Sequence, residues 1–242
     1  MFERKKVFVL SDNCEMASFI KALLDESSMV DVDYFCSPVS PLRSSGFDWA
    51  SPVNLKNNVN VYSGYDIGIS CHSKQIFPEE LVNSVPCYNV HPGYNPFNKG
   101  WYPQAFSIIN GLPAGCTIHR MTADIDGGPI VDQAMVPIYS DDVSETVYRR
   151  VLEKEKELLR LNIDNLIFSS KPLGRLVEDK GNYNSVSDFR ALQLIDLDEE
   201  VRIGDFINRM RALSHPPYWN AFFVDTEGQK VFLRVETKKG IQ

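Results

Sequence analysis

Apolar positions along the chain fall into two rhythms. Residues 7–10, 30–36 and 65–71 are short apolar runs bounded by polar or turn-forming residues, and they read as buried strands. Between them, residues 16–24 read as a helix and residues 37–52 as a Ser/Pro-rich loop. Pro78-Glu79-Glu80 suits the first turn of a helix that must end before Pro86. Strands alternating with helices predict an α/β chain built on a mostly parallel, Rossmann-like sheet.

Residues 84–91 form a further short strand, in which Asn89 and His91, two apart, project from one face. Pro92-Gly93 stops it, so both polar side chains stand at its carboxyl end, where open α/β sheets put their ligands. Residues 115–122 read as another strand, leading into Asp126-Gly127-Gly128-Pro129. The two glycines permit backbone conformations closed to other residues and would let the turn lie close under a ligand.

The second half changes rhythm. Asp142, with Glu145 three residues on, reads as a capping box. It opens a long helix striped by Val143, Val147, Val151, Leu158 and Leu166, whose charged run from Arg149 to Glu157 reads as a solvated face. Residues 171–187 are polar and rich in Gly and Asn, which sets a boundary between a catalytic domain at 1–180 and a small C-terminal unit at 181–242. That unit holds a helix at 203–213, with Phe206, Ile207 and Met210 at helical spacing, and a β-hairpin at 221–235 whose turn contains Gly228. Two aromatic-rich strands cannot be buried by so small a unit, so it must pack on the main domain or on a second subunit.

Composition narrows the function. At 242 residues and 43% hydrophobic the chain can bury a full core without disulfides. Its five cysteines are scattered singly, which argues against a disulfide framework or structural zinc and suggests a reducing cytoplasm. The first apolar run is too short for a signal peptide, and no later run could span a bilayer. A net charge of -7 disfavours a nucleic-acid partner, because neutralising phosphates needs a basic face. Ser11-Asp12-Asn13 follows the first strand in place of Gly-x-Gly-x-x-Gly, so a dinucleotide cofactor is not expected.

The candidate chemistry is an amide, an imidazole and a carboxylate: Asn89, His91 and Asp126. Together such groups can polarise a carbonyl, move a proton and orient the imidazole, which suffices for acyl transfer without a covalent intermediate. Singly, each has a plainer reading, as a strand-end Asn, a hydrogen-bonded strand His and a turn-forming Asp. Asp124 competes with Asp126, and His119 either reaches the same pocket or packs within its strand. His91, His119 and Asp126 lack the spacing of a metal site.

Asn89-Val90-His91-Pro92, Asp126-Gly127-Gly128-Pro129 and residues 70–78 ahead of them resemble the formyltransferase family that uses N10-formyltetrahydrofolate. Residues 206–221, with His215-Pro216-Pro217-Tyr218-Trp219, resemble the tail of its sugar N-formyltransferases. The resemblance implies the formyltransferase fold and catalytic roles for Asn89 as oxyanion donor, His91 as base and Asp126 as its partner. It further implies a folate pocket at Ile76, Phe77, Pro78 and Asp124. Acceptor contacts are expected at Lys74, Asn98, Lys99, Trp101, Tyr102, His215 and Tyr218, with a thymine stacked near the last two and no metal. The implied acceptor is a dTDP-linked 4-amino-4,6-dideoxyhexose, the glucose form favoured, in a cytoplasmic homodimer serving O-antigen or other surface polysaccharide synthesis. No arginine lies between His91 and Arg120, where the transfer-RNA formyltransferases carry one. A formyltetrahydrofolate hydrolase, a glycinamide ribonucleotide formyltransferase and a catalytically silent nucleotide-sugar binding module are the alternatives.

Overall fold

The computed structural model describes residues 4–57 and 63–240. In chain order its elements are β1 (Lys5–Ser11), α1 (Cys14–Asp25), β2 (Val30–Cys36), α2 (Pro41–Ser44), β3 (Ser51–Pro52), β4 (Ile67–Cys71), α3 (Glu79–Ser84), β5 (Cys87–His91), β6 (Lys99–Gly100) and α4 (Pro103–Asn110). They continue with β7 (Ala114–Arg120), β8 (Ile130–Val136), α5 (Ser144–Phe168), β9 (Tyr183–Asn184), α6 (Val186–Gln193), α7 (Ile203–Leu213), β10 (Ser214–His215), β11 (Tyr218–Trp219), β12 (Ala221–Val224) and β13 (Lys230–Leu233).

Seven strands form the central sheet in the order β3-β2-β1-β4-β5-β7-β8. The first five run parallel, while β7 is antiparallel to both β5 and β8. β1 shows why its sequence is a continuous apolar run rather than an alternating one: it is covered on both faces. Val7 and Val9 join the larger core with Met16 and Ile20 of α1 and Val151 and Leu159 of α5. Phe8 and Leu10 join a second core with Leu55, Phe77, Leu81 and Cys87 on the other face. Chain order turns back between β1 and β4, and this switch point opens a crevice at the strands' carboxyl ends.

The expected strands and helices are present, and the departures have physical causes. Residues 37–52 are not plain loop, since Ser40 accepts from the Leu42 N–H to cap α2 and β3 adds an edge strand. α4 and β8 were not expected: α4 is buried nearly all round, and β8 alternates weakly because its edge position leaves one side half-exposed. α5 starts one residue later than the Asp142 box implies, with Thr146 Oγ1 accepting from the Val143 N–H. Glu145 instead pairs with Arg149 on the surface. The charged run is not wholly solvated either, because Glu155 is fully buried within it.

The C-terminal elements share the main core. Phe189, Ile195, Met210, Ala212, Leu213 and Ala221 lie in one buried cluster with α5 and β7, and β6 pairs with β9 across the 180/181 division. On α7 it is Met210 that turns inward, whereas Ile207 remains half-exposed. The hairpin β12–β13 forms as expected, and Phe232, Val231 and Val224 remain exposed on it. All five cysteines are free thiols, four of them buried. No helix among the described residues is long and apolar enough to cross a membrane.

Candidate active site

At the switch point lies a cleft of about 660 Å³, within the range of small-molecule sites. Its walls come from the ends of β1 and β4, the strand β5, the turn at 121–126, the segment 100–104, and Ser144, Tyr148, His215 and Tyr218.

Asn89, His91 and Asp126 meet there. Asn89 Nδ2 donates to Asp126 Oδ1 at 3.1 Å, and His91 Nδ1 lies 3.6 Å from Asp126 Oδ2. The antiparallel register sets His119 directly opposite Asn89, with His119 Nε2 at 3.3 Å from the Asn89 amide nitrogen and 3.4 Å from Asp126 Oδ1. His119 is therefore a fourth member of the cluster. The Arg120 carbonyl, which can only accept, faces His119 Nδ1 at 3.2 Å and places the proton on that nitrogen, leaving Nε2 to accept from Asn89. Both amide protons of Asn89 are thus engaged, so donating to a substrate oxygen requires it to give up the longer contact, the one to His119.

The surroundings of His91 keep its ring neutral. Burial pushes its pKa down to about 4 against the opposing pull of Asp126, so the ring is neutral near pH 7. With Nδ1 turned to Asp126, the lone pair at Nε2 is buried and has no partner. A side chain at position 93 would crowd it: a Cβ there would sit 2.4 Å from His91 Nε2. Thr117 Oγ1 donates to the Gly93 carbonyl at 2.7 Å and accepts from the Asn95 N–H at 3.0 Å, which holds this loop over the histidine.

Asp126 is fixed on three sides. Gly100 N–H donates to its Oδ2 at 3.1 Å, Asn95 Nδ2 to its carbonyl at 2.8 Å, and its φ of 49° is the left-handed conformation that Asp tolerates in turns. Burial would raise its carboxyl pKa, but the neighbouring His91 and the Gly100 N–H act against that, and the carboxyl is held well below the usual range. The two glycines that follow do not adopt positive φ. Gly128 is needed because a Cβ there would come 1.9 Å from the Arg120 carbonyl oxygen, so the close approach is to β7 rather than to a ligand.

The other expected contacts divide. Lys74, Ile76, Phe77 and Asp124 line the cleft, as do Trp101, Tyr102, His215 and Tyr218. Ile76 is 62% exposed into it, whereas Phe77 is mostly core, its ring stacked on Phe8 at 6.1 Å. Pro78 lies outside the lining and precedes α3 as its N-cap. Asn98 also lies outside: it is fully buried, donating to Ser107 and Asn110 and accepting from Asn182 and Asn184. It is a structural hub. Lys99 lies outside as well, in the β6–β9 pair. Tyr102 stacks on Phe189 at 4.1 Å, and His215 Nδ1 meets Ser144 Oγ at 3.1 Å with the Tyr218 ring 6.1 Å away.

Sequence reasoning missed a second histidine–carboxylate pair in this cleft. His72 Nε2 lies 2.7 Å from Glu155 Oε2, and His72 Nδ1 lies 3.1 Å from the Tyr148 hydroxyl. Helical phase was the available signal, because Glu155 stands at i+4 from Val151 and three before Leu158 on the apolar stripe.

Family models match the chain in two places: formyl transferase over residues 55–163, and an N-formyltransferase dimerization C-terminal domain over residues 188–239. The chain is 39% identical over 230 residues to a dTDP-4-amino-4,6-dideoxyglucose formyltransferase of Mycobacterium tuberculosis, covering 95% of both chains. Among solved structures it is similar to a 4-N formyltransferase from Francisella tularensis, at 44% identity, TM-score 0.92 and coverage of 97% of this chain and 98% of that one. A sugar N-formyltransferase from a Shewanella species is also similar, at 40% identity and TM-score 0.91, with 98% of this chain and 99% of that one covered. With the Asn89–His91–Asp126 cluster, the switch-point cleft and similarity over 95% of both chains in agreement, the chain belongs to the sugar N-formyltransferase branch of the formyltransferase family.

Proposed function

We propose that the protein transfers a formyl group from N10-formyltetrahydrofolate to the amine of a dTDP-linked 4-amino-4,6-dideoxyhexose, with 4-amino-4,6-dideoxyglucose the favoured sugar. The observation that carries this reading is the unpaired Nε2 of a neutral, buried His91 at the end of a cleft of substrate size. The full-length relative supports the choice of acceptor.

The residues present fit a folate. Ile76 is largely and Ile125 nearly half exposed where they line the cleft, beside Phe77 and Met121, and Asp124 stands at the rim. This is an apolar slot with a polar end, suited to a flat ring bearing donor groups. When bound, the folate supplies an activated formyl carbonyl. His91 Nε2 then takes the proton from the attacking amine and later returns it to the departing nitrogen. Asp126, held ionised, steadies the imidazole at Nδ1 while it is charged. Asn89 releases His119 and donates to the carbonyl oxygen as charge develops on it. On the acceptor side, Trp101, Tyr102, His215 and Tyr218 offer aromatic surface for the base and sugar, with Lys74 as a point charge for the diphosphate.

In this reading residues 1–180 carry the chemistry and residues 181–242 join two subunits, with the exposed Phe232, Val231 and Val224 at the contact. The free cysteines suit the cytoplasm, and the product would enter a surface polysaccharide such as the O-antigen. Mass spectrometry of the protein with N10-formyltetrahydrofolate and a panel of dTDP- and UDP-linked amino sugars tests the whole. One formyl group gained by a dTDP-4-amino sugar is the expected result. Formate released without any acceptor, and no formylated sugar, would replace the reading with a hydrolase.

A further inference from the structure

Tyr148 stands on the first turns of α5 and lines the cleft, and its hydroxyl is gripped from two sides. Asn13 Nδ2 donates to it at 3.0 Å, and His72 Nδ1 lies 3.1 Å away. Asn13 is itself fixed as the N-cap of α1, its Oδ1 accepting from the Met16 N–H at 3.0 Å. Behind His72, Glu155 is completely buried at 2.7 Å from Nε2, and its second oxygen has no partner. His72 is held with φ of 58°. A left-handed backbone and a buried carboxylate are both costly, and the formyl-transfer machinery at Asn89, His91 and Asp126 touches neither.

The number of protons on this pair sets where the Tyr148 proton points. A phenol oxygen accepts two hydrogen bonds and donates one. When the Glu155–His72 pair holds two protons, one sits between Glu155 and Nε2 and the other is on Nδ1, which then donates to Tyr148. This is so whichever of the two residues is written as neutral. With Asn13 and His72 filling both acceptor positions, the Tyr148 O–H has nowhere to point but the cleft. When the pair holds one proton, Nδ1 is bare, Tyr148 turns its O–H to His72, and the cleft loses a donor.

We propose that Tyr148 is a hydrogen-bond donor to an oxygen of the bound acceptor, and that Glu155 and His72 are positioning residues which aim its proton into the cleft. This rests on the nucleotide-sugar reading above. The acceptor's oxygen is a diphosphate or a sugar hydroxyl oxygen. Glu155 also faces the thiols of Cys71 on β4 and Cys116 on β7, and burial pushes both far up, so neither titrates with the pair. Around Tyr148 stand Glu15 of α1 and His215, whose ring is 5.5 Å away, and burial keeps the phenol well above its usual pKa.

The test is calorimetric binding of the formylated dTDP-sugar, which has no titratable amine, as a function of pH. Wild-type affinity is expected to fall as pH rises and the pair loses a proton. Tyr148→Phe should weaken binding about tenfold at low pH and abolish the pH dependence, while changing the folate KM less than about twofold. Glu155→Gln, which cannot release a proton, should flatten the same dependence. If Tyr148→Phe weakens dTDP as much as the sugar nucleotide at one fixed pH, the oxygen is on the diphosphate; if only the sugar nucleotide is weakened, it is on the sugar. A wild type that binds no nucleotide sugar would defeat the functional reading. Binding with the pH dependence intact in Tyr148→Phe would assign the effect to His215 and overturn the inference. Nitrogen-15 spectra of His72 give a second readout: Nδ1 is expected to carry a proton at the pH of tight binding, and a bare Nδ1 there would overturn the proposal.

Discussion

Two histidine–carboxylate pairs share one cleft and are built in opposite ways. His91 and Asp126 are 3.6 Å apart, on a strand end and a turn, and His91 Nε2 has no partner. His72 and Glu155 are 2.7 Å apart, Glu155 anchored mid-helix, and both His72 nitrogens are engaged. An imidazole with a free lone pair can exchange protons with a substrate, whereas one tied at both ends can only pass on an orientation. In the proposed roles, the same two residue types serve transfer in one place and aim in the other.

Mutations should separate the two pairs, starting with the largest effect. His91→Asn is expected to lower kcat by about a thousandfold or more while leaving nucleotide-sugar affinity within about twofold, measured by single-turnover kinetics and calorimetry. Because His91 titrates at about 4 when folded and near its ordinary value when unfolded, the unfolded chain binds the extra proton between those limits. Its contribution to stability is then fully present above about pH 6.5 and lost as pH falls toward 4, and the wild-type kcat at saturating folate and acceptor should stay level through neutrality before falling on the acid side. A profile that drops already near pH 6.5 would mean that the ring is solvated.

Asn89→Ala should cost about a hundredfold to a thousandfold in kcat, the usual loss for an oxyanion donor. An effect confined to KM would place Asn89 in binding alone. Gly93→Ala pushes a methyl against His91 Nε2 and is expected to cost about a hundredfold in kcat with both KM values little changed. Full activity in that variant would show that the free lone pair is not the one used. The smallest change in turnover is expected at Glu155→Ala, whose mark is instead about 3 kcal/mol of lost stability in urea unfolding, the cost of stripping a partner from a buried pair. A loss under about 1 kcal/mol would make that pair an exposed one in practice.

What the chain order reveals about this site depends on the range of the interaction. Asn89 and His91 were legible because a strand's two-residue period is local, and the parallel sheet because apolar runs alternate with helical stretches. His119 was only half legible. Its place beside Asn89 depends on the register of β5 against β7, set by residues thirty positions apart. Glu155 was misread because the charges around it argue for solvent, and only the phase of α5 turns it inward. Asn98 was misread in the reverse sense: a polar residue near an aromatic loop suggests a ligand contact, but four partners from α4 and residues 182–184 take it into the interior. Burial of a polar side chain is decided by partners distant in sequence, which composition cannot supply.

Tyr102 rests on Phe189 at 4.1 Å, and Phe189 belongs to the segment proposed to join two subunits. One wall of the acceptor side is thus carried by the part of the chain whose order would depend on association. By mass action, dilution that separates the subunits would loosen this wall before it reaches the folate slot at Ile76 and Ile125. Acceptor KM should then rise with falling enzyme concentration while folate KM holds, so that the enzyme's own abundance would tune which substrate limits it.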